Sequence, residues 1–146
     1  MTTALNGQET AKKLISQFPD VVITADKSTV LVKSESVYNV AQYFKTTEGF
    51  EFDFLADLTS ADYTEYFEVV YHLMSLKYNH SLTLKTRISD RENPVVPSVV
   101  SLWRTADYQE REIFDLMGIT FKGHPNMKRL FLWEGFEGYP LRRDYL

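Results

Sequence analysis

Two adjoining stretches constrain the fold of this chain more than any others. Residues 66–76 read YFEVVYHLMSL and are apolar on both faces. Residues 81–88 alternate, with Leu82, Leu84 and Ile88 on one side and Thr83, Lys85 and Arg87 on the other. The first pattern fits a central strand covered on one side by helices. The second fits a half-buried strand, paired to the first through Tyr78-Asn79-His80. Its basic side chains are expected near acids on a neighbouring strand.

Helical stripes supply the cover. Ala11, Leu14, Ile15 and Phe18 recur at helical spacing, which predicts a helix over residues 8–18 that Pro19 ends. Val37, Val40, Ala41 and Phe44 repeat the stripe, and Gly49 closes that segment. Between them, Val21–Ala25 and Thr29–Lys33 are β-branched runs around Asp26-Lys27-Ser28, a hairpin. Phe52, Phe54 and Leu58 suggest a strand that runs into a polar turn over Thr59–Thr64. Asp90–Pro97 reads as a loop. Ser98 is placed to cap a short helix over 99–103, and Thr105 a second over 106–117 that Gly118 ends.

The expected class is α+β: a mostly antiparallel sheet with helices packed on it, plus an irregular C-terminal segment rich in Gly, Pro, aromatics and Arg. Residues 1–132 form one domain and 133–146 a tail that docks on a partner. The 146-residue length allows one domain.

Composition removes several functions. The chain has no cysteine, hence no disulfide, thiolate nucleophile or cysteine-held iron–sulfur cluster. Its three histidines, His72, His80 and His124, are far apart, which disfavours a zinc site. Asp57, Asp62 and Glu65 fit no calcium-loop spacing. No phosphate-binding glycine loop and no nucleophile elbow occurs. Seven acids and no Lys or Arg fall between Glu48 and Glu68, and the net charge is −4, so nucleic acid is not an expected partner. Lacking an apolar run of membrane-spanning length or a signal-peptide core, the chain reads as cytosolic. His72, in an apolar strand, reads as a core histidine.

The 106–117 helix is the informative element. On a helical wheel Ala106, Ile113, Leu116 and Met117 share one side, and Arg111 and Asp115 form an i, i+4 pair opposite. Glu110 falls near the apolar face. A carboxylate there needs a cation or several donors. Arg104, Lys128, Arg129, Arg142 and Arg143 are the nearby bases, so an internal Glu–Arg bridge is expected, with a bond to a partner protein as the alternative. Residues 133–146, WEGFEGYPLRRDYL, carry the residue types that dominate interfaces. Their end, from Leu141, is expected to lie on a partner, with Arg142 or Arg143 paired to an acid there or to Glu110.

Glu110-Arg111-Glu112-Ile113-Phe114-Asp115, Gly118-Ile119-Thr120-Phe121, Gly123-His124-Pro125, Arg129-Leu130 and Pro140-Leu141-Arg142-Arg143-Asp144 together resemble the signature of the 30-kDa-type C-subunit of proton-pumping NADH:quinone oxidoreductase, respiratory complex I. Pro97-Ser98-Val99, Trp103 and Ala106-Asp107 also fit, as do Leu55, Asp57-Leu58-Thr59 and Tyr71-His72-Leu73 more loosely. The resemblance implies a non-catalytic scaffold of the hydrophilic arm with no cofactor of its own. FMN, iron–sulfur clusters and quinone are then expected in partner subunits. The implied partners are the D-subunit, which with the B-subunit forms the quinone site, and iron–sulfur subunits such as the I-subunit. The implied location is peripheral, on the cytoplasmic side of the membrane, held there by the complex.

Asn126-Met127-Lys128 departs from the family's frequent Asp-Leu-Arg. The sequence also runs only two residues past Asp144, where many members continue with a long arm. That arm is expected to be absent or supplied by another chain. The alternatives are the equivalent subunit of a ferredoxin- or deazaflavin-dependent complex or membrane-bound hydrogenase, a free-standing enzyme using Asp57, His72 or Glu110 as acid–base groups, and a stand-alone binding module.

Overall fold

The computed structural model describes residues 2–133 and 135–145. The elements are β1 (Thr3–Ala4), α1 (Gly7–Gln17), β2 (Val22–Ala25), β3 (Thr29–Lys33), α2 (Val37–Thr46), β4 (Phe54–Asp62), β5 (Phe67–Ser75), β6 (His80–Ile88), β7 (Val95–Pro97), α3 (Ala106–Met117) and β8 (Thr120–Lys122). The main sheet runs β2-β3-β6-β5-β4, with β1 also on β6. The β2–β3, β4–β5 and β5–β6 pairs are antiparallel; β1 and β3 pair with β6 in parallel. The fold is therefore α+β on a mostly antiparallel sheet. β5 lies inside the sheet between β6 and β4, as its apolar faces predict, and β6 stands at the middle of the strand order.

Alternation builds the core. Val30, Val32, Val69, Tyr71, Leu73, Leu82 and Leu84 are buried in one cluster with Leu14 of α1, Phe44 of α2 and Ile113 of α3. On the opposite face, cross-strand register sets Asp57 beside His72 and His72 beside Thr83. Glu68 there pairs with Lys85 at 3.5 Å and Arg87 at 3.1 Å, the charge match read from the alternation. His72 is exposed, with Nδ1 3.3 Å from Thr83 Oγ1, so the core-histidine reading fails. His80 is the buried one, its Nε2 3.0 Å from the Phe50 carbonyl.

Helix ends follow local chemistry. Asn6 caps α1 by accepting the Glu9 N–H at 3.0 Å. Gly118 ends α3 at φ 78°, a conformation that costs most residues energy. A Cβ there would lie 2.6 Å from the Tyr139 ring and 2.7 Å from Arg142 Nη2. Thr105 precedes α3 but makes no side-chain cap.

Three local readings need correction. β4 continues through Thr59–Asp62, because this polar run lies along β5 and the chain turns only after Asp62. The expected loop Asp90–Pro97 contains β7, which pairs in parallel with β8. Residues 99–103 form a turn instead of a helix, with Leu102 N–H and Trp103 N–H both donating to the Val99 carbonyl.

Candidate functional site

α3 holds two buried carboxylates that do different work. Asp115 accepts N–H groups from Leu130 at 3.1 Å, Phe131 at 2.6 Å and Leu132 at 3.1 Å, and pairs with Arg129 at 3.1 Å. Burial works against its charge. The amides and the guanidinium outweigh that, and the carboxyl sits below its ordinary range. Arg129 also donates to the carbonyls of Asp115, Phe136 and Gly138, and stacks 4.8 Å from the Tyr139 ring. One carboxylate–guanidinium pair thus ties residues 129–132 and the carbonyls of Phe136 and Gly138 to α3, in a stretch that lacks any periodic pattern. This arrangement leaves Phe131 60% and Trp133 69% exposed.

The expected Arg111–Asp115 pair does not form, because Asp115 is turned inward against this segment. Arg111 instead donates to the carbonyls of Lys128 and Arg129. Glu112 is exposed.

Glu110 is fully buried, as the wheel predicts, but has no arginine. Its Oε1 accepts from Ser98 Oγ at 2.6 Å and its Oε2 from Val99 N–H at 2.8 Å. The expected cation is replaced by the alternative of several donors. Burial drives its pKa up to about 7, Ser98 and Val99 oppose the rise, and Asp107 adds to it. Tyr71, fully buried on β5, has a hydroxyl without a hydrogen-bond partner among the described residues. Burial and the Glu110 charge raise that phenol.

The tail lies against the domain. Leu141 N–H donates to the Leu116 carbonyl at 2.9 Å. Arg142 donates to the carbonyls of Met117 at 2.6 Å and Arg91 at 3.3 Å, and stacks on Phe67 and Tyr139. It does not meet Glu110. Asp62 receives a two-pronged bond from Arg91, at 2.7 and 2.8 Å, and the Arg143 N–H at 2.9 Å. The Arg91 guanidinium holds the Asp62 carboxyl far below its ordinary range, against burial and with help from the Arg143 and Thr64 amides. Asp144 also reaches Arg91, at 3.3 Å. Leu141 remains 60% exposed. Leu146 lies outside the described residues.

Sequence reasoning missed Asp62 and Arg91 as the seat of the tail. Their one legible signal is that Arg91 follows closely on the acid-rich strands and their basic partner strand.

Gly123, His124 and Pro125 turn the chain after β8. His124 Nδ1 accepts Asn126 N–H at 2.8 Å, which leaves Nε2 to donate to the Asp107 carbonyl at 3.1 Å. Pro140 is half-buried at the start of the Leu141–Asp144 turn. Among the described residues, no three His, Asp or Glu are grouped to hold a metal, and no helix is long and apolar enough to cross a membrane. A broad groove of about 600 Å³ is lined by Tyr38, Pro97, Ser98, Val100, Ser101 and Lys122 among others. Asp57 and His72 lie on the open sheet face, away from it.

Residues 30–146 match the model of the family described as respiratory-chain NADH dehydrogenase, 30 Kd subunit. The NADH-quinone oxidoreductase C-subunit of Dinoroseobacter shibae is 40% identical over 152 residues, covering 99% of this chain and 69% of that protein. One of the corresponding C-subunits of Rhizobium meliloti is 44% identical over 117 residues, 78% of this chain and 63% of that one, so this chain spans under two thirds of that relative. Among solved structures, a trypsin-resistant fragment of Nqo5 matches with a TM-score of 0.57 and 28% identity, covering 82% of this chain and 98% of that one. The membrane-bound sulfane sulfur reductase, an archaeal respiratory complex, matches with a TM-score of 0.75 at 23% identity over 94% of this chain and 84% of that one, and shares the fold.

Proposed function

The chain belongs to the 30 kDa subunit family of respiratory-chain NADH dehydrogenase, and on that premise we propose that it is a scaffold subunit of an NADH:quinone oxidoreductase. It holds the quinone-site D-subunit and neighbours the B-subunit and an iron–sulfur subunit of the I type. It makes no redox step of its own. FMN, iron–sulfur clusters and quinone belong to its partners, and they also tie it to the cytoplasmic side of the membrane.

The observation that carries this reading is the pinned aromatic segment. Phe131 and Trp133 are exposed on a backbone that the Asp115–Arg129 pair fixes. Large aromatics on a fixed backbone lose little entropy on docking and are the residue type that anchors interfaces. Leu141, beside Ile113, Leu116 and Met117 of α3, is a further exposed apolar side chain of the C-terminal segment. Glu112 and Arg143 lie exposed beside it.

The test is the double variant Phe131→Ala, Trp133→Ala, expressed in cells that lack the native chain. The isolated variant keeps the parent's circular dichroism, because both side chains are mostly in water. NADH:quinone activity of the membranes falls at least tenfold. Unchanged membrane activity contradicts the proposal.

A further inference from the structure

Leu132, between the exposed Phe131 and Trp133, helps to line a cup of about 340 Å³. The other walls are Phe114 of α3 and Met127, Lys128 and Arg129 of the segment after β8. Phe114, Met127 and Leu132 make the space apolar, and Lys128 and Arg129 bring positive charge to it. Arg111, three residues before Phe114 on α3, stands at the edge. Its guanidinium is fixed there by bonds to the Lys128 and Arg129 carbonyls, at 3.3 and 3.2 Å.

The charge at this cup does not balance. No Asp or Glu lines it. Asp115 is bonded to the same segment, but both its oxygens are taken: Oδ1 pairs with Arg129, and Oδ2 accepts the Leu130, Phe131 and Leu132 amides. Glu112, next to Arg111 in sequence, instead lines a separate pocket with Ile113, Met117 and Leu141. Asp107 is drawn to His124, at 3.0 Å, and Glu137 is exposed without an ion pair among the described residues. Asp115 therefore neutralises Arg129, while Arg111 and Lys128 have no carboxylate partner among the described residues. This local positive surplus runs against a chain whose net charge is −4.

We propose that the cup receives a segment of a partner protein in which a bulky apolar side chain stands next to an Asp or Glu. The apolar side chain fills the space between Phe114, Met127 and Leu132, and the carboxylate meets Lys128 and Arg111. Methionine lets such a wall adapt to the shape it receives. A guanidinium held in place presents a planar fork that suits a carboxylate. Two uncompensated cations favour an acidic segment and disfavour a basic one. The inference rests on the docking role proposed above and adds the chemistry of the segment that docks.

The experiment is zero-length crosslinking of the tagged full chain captured from gently solubilised membranes. A carbodiimide joins an amine to a carboxylate only where the two touch. Lys128 is expected to link to an Asp or Glu of another chain, next to a large apolar residue, as read by mass spectrometry of the peptides. A captured assembly in which Lys128 links to no other chain overturns the inference and leaves the docking role standing. A chain captured alone contradicts the docking role and takes the inference with it. A charge reversal gives the second reading. Lys128→Glu sets like charges together and should lower the captured assembly about tenfold, while Lys12→Glu, the same change at an exposed site on α1, should leave it unaltered. Equal recovery of the two variants also overturns the inference. If Lys128→Glu does not fold, the crosslink on the native chain decides the matter.

Discussion

Glu110 and Asp115 lie on one helix, both buried, and differ in the kind of donors they meet. Asp115 has a guanidinium and three amides; Glu110 has a hydroxyl and one amide. The first carboxyl is held ionised and the second is pushed to about 7. Opposite pH dependences follow. Glu110 binds its proton more tightly folded than unfolded, so the stability it lends is fully present below its ordinary value of 4.5 and is lost as pH rises through about 7. That loss amounts to about 3 kcal/mol. Urea denaturation of Glu110→Gln across this range should show a shallower fall than the parent; parallel curves contradict the account. Asp115 lends stability above its ordinary value of 3.8, and it is lost as pH falls. Asp115→Ala should cost about 3–5 kcal/mol at neutral pH, and Glu112→Ala, at an exposed site, about 0–1. Equal denaturation midpoints for these two would remove Asp115 from its central place.

At the scale of elements, periodic segments are legible in the sequence and compensating ones are not. The α1, α2 and α3 stripes and the β5–β6 alternation predict their elements, because burial of one face dictates the spacing. β7, at three residues, is too short to carry a pattern. A wheel puts Asp115 on the wet side because the segment that covers it has no periodicity to reveal that it packs there. Glu110 is legible in depth, yet its donors come from a turn eleven and twelve residues back, which a wheel cannot show. The parallel β3–β6 pairing joins strands distant in sequence and leaves no local trace. The junction of α3 with the tail is testable at two glycines. Gly118→Ala meets both a left-handed backbone at φ 78° and the Tyr139–Arg142 contact; Gly123→Ala, at φ 89°, faces open space. The second should cost about 1–2 kcal/mol and the first clearly more. Equal losses in thermal midpoint would mean that the tail does not press on Gly118.

For the whole molecule, the helices pack on one side of the sheet, and the segment after β8 is bound to α3 by Asp115, Arg129 and Arg142 while still presenting Phe131, Trp133 and Leu141 to solvent. Phe131 and Trp133, two residues apart and both mostly in water, make an exposed apolar pair of the kind that proteins tend to cover. The proposed scaffold role makes this chain a docked subunit. The most direct measurement is copurification: the tagged chain is expressed at native level, membranes are gently solubilised, and the captured proteins are identified by mass spectrometry. The chain should emerge in a stoichiometric assembly containing the quinone-site and iron–sulfur subunits of an NADH:quinone oxidoreductase. Recovery of the chain alone, from cells whose membranes carry that activity, would contradict it.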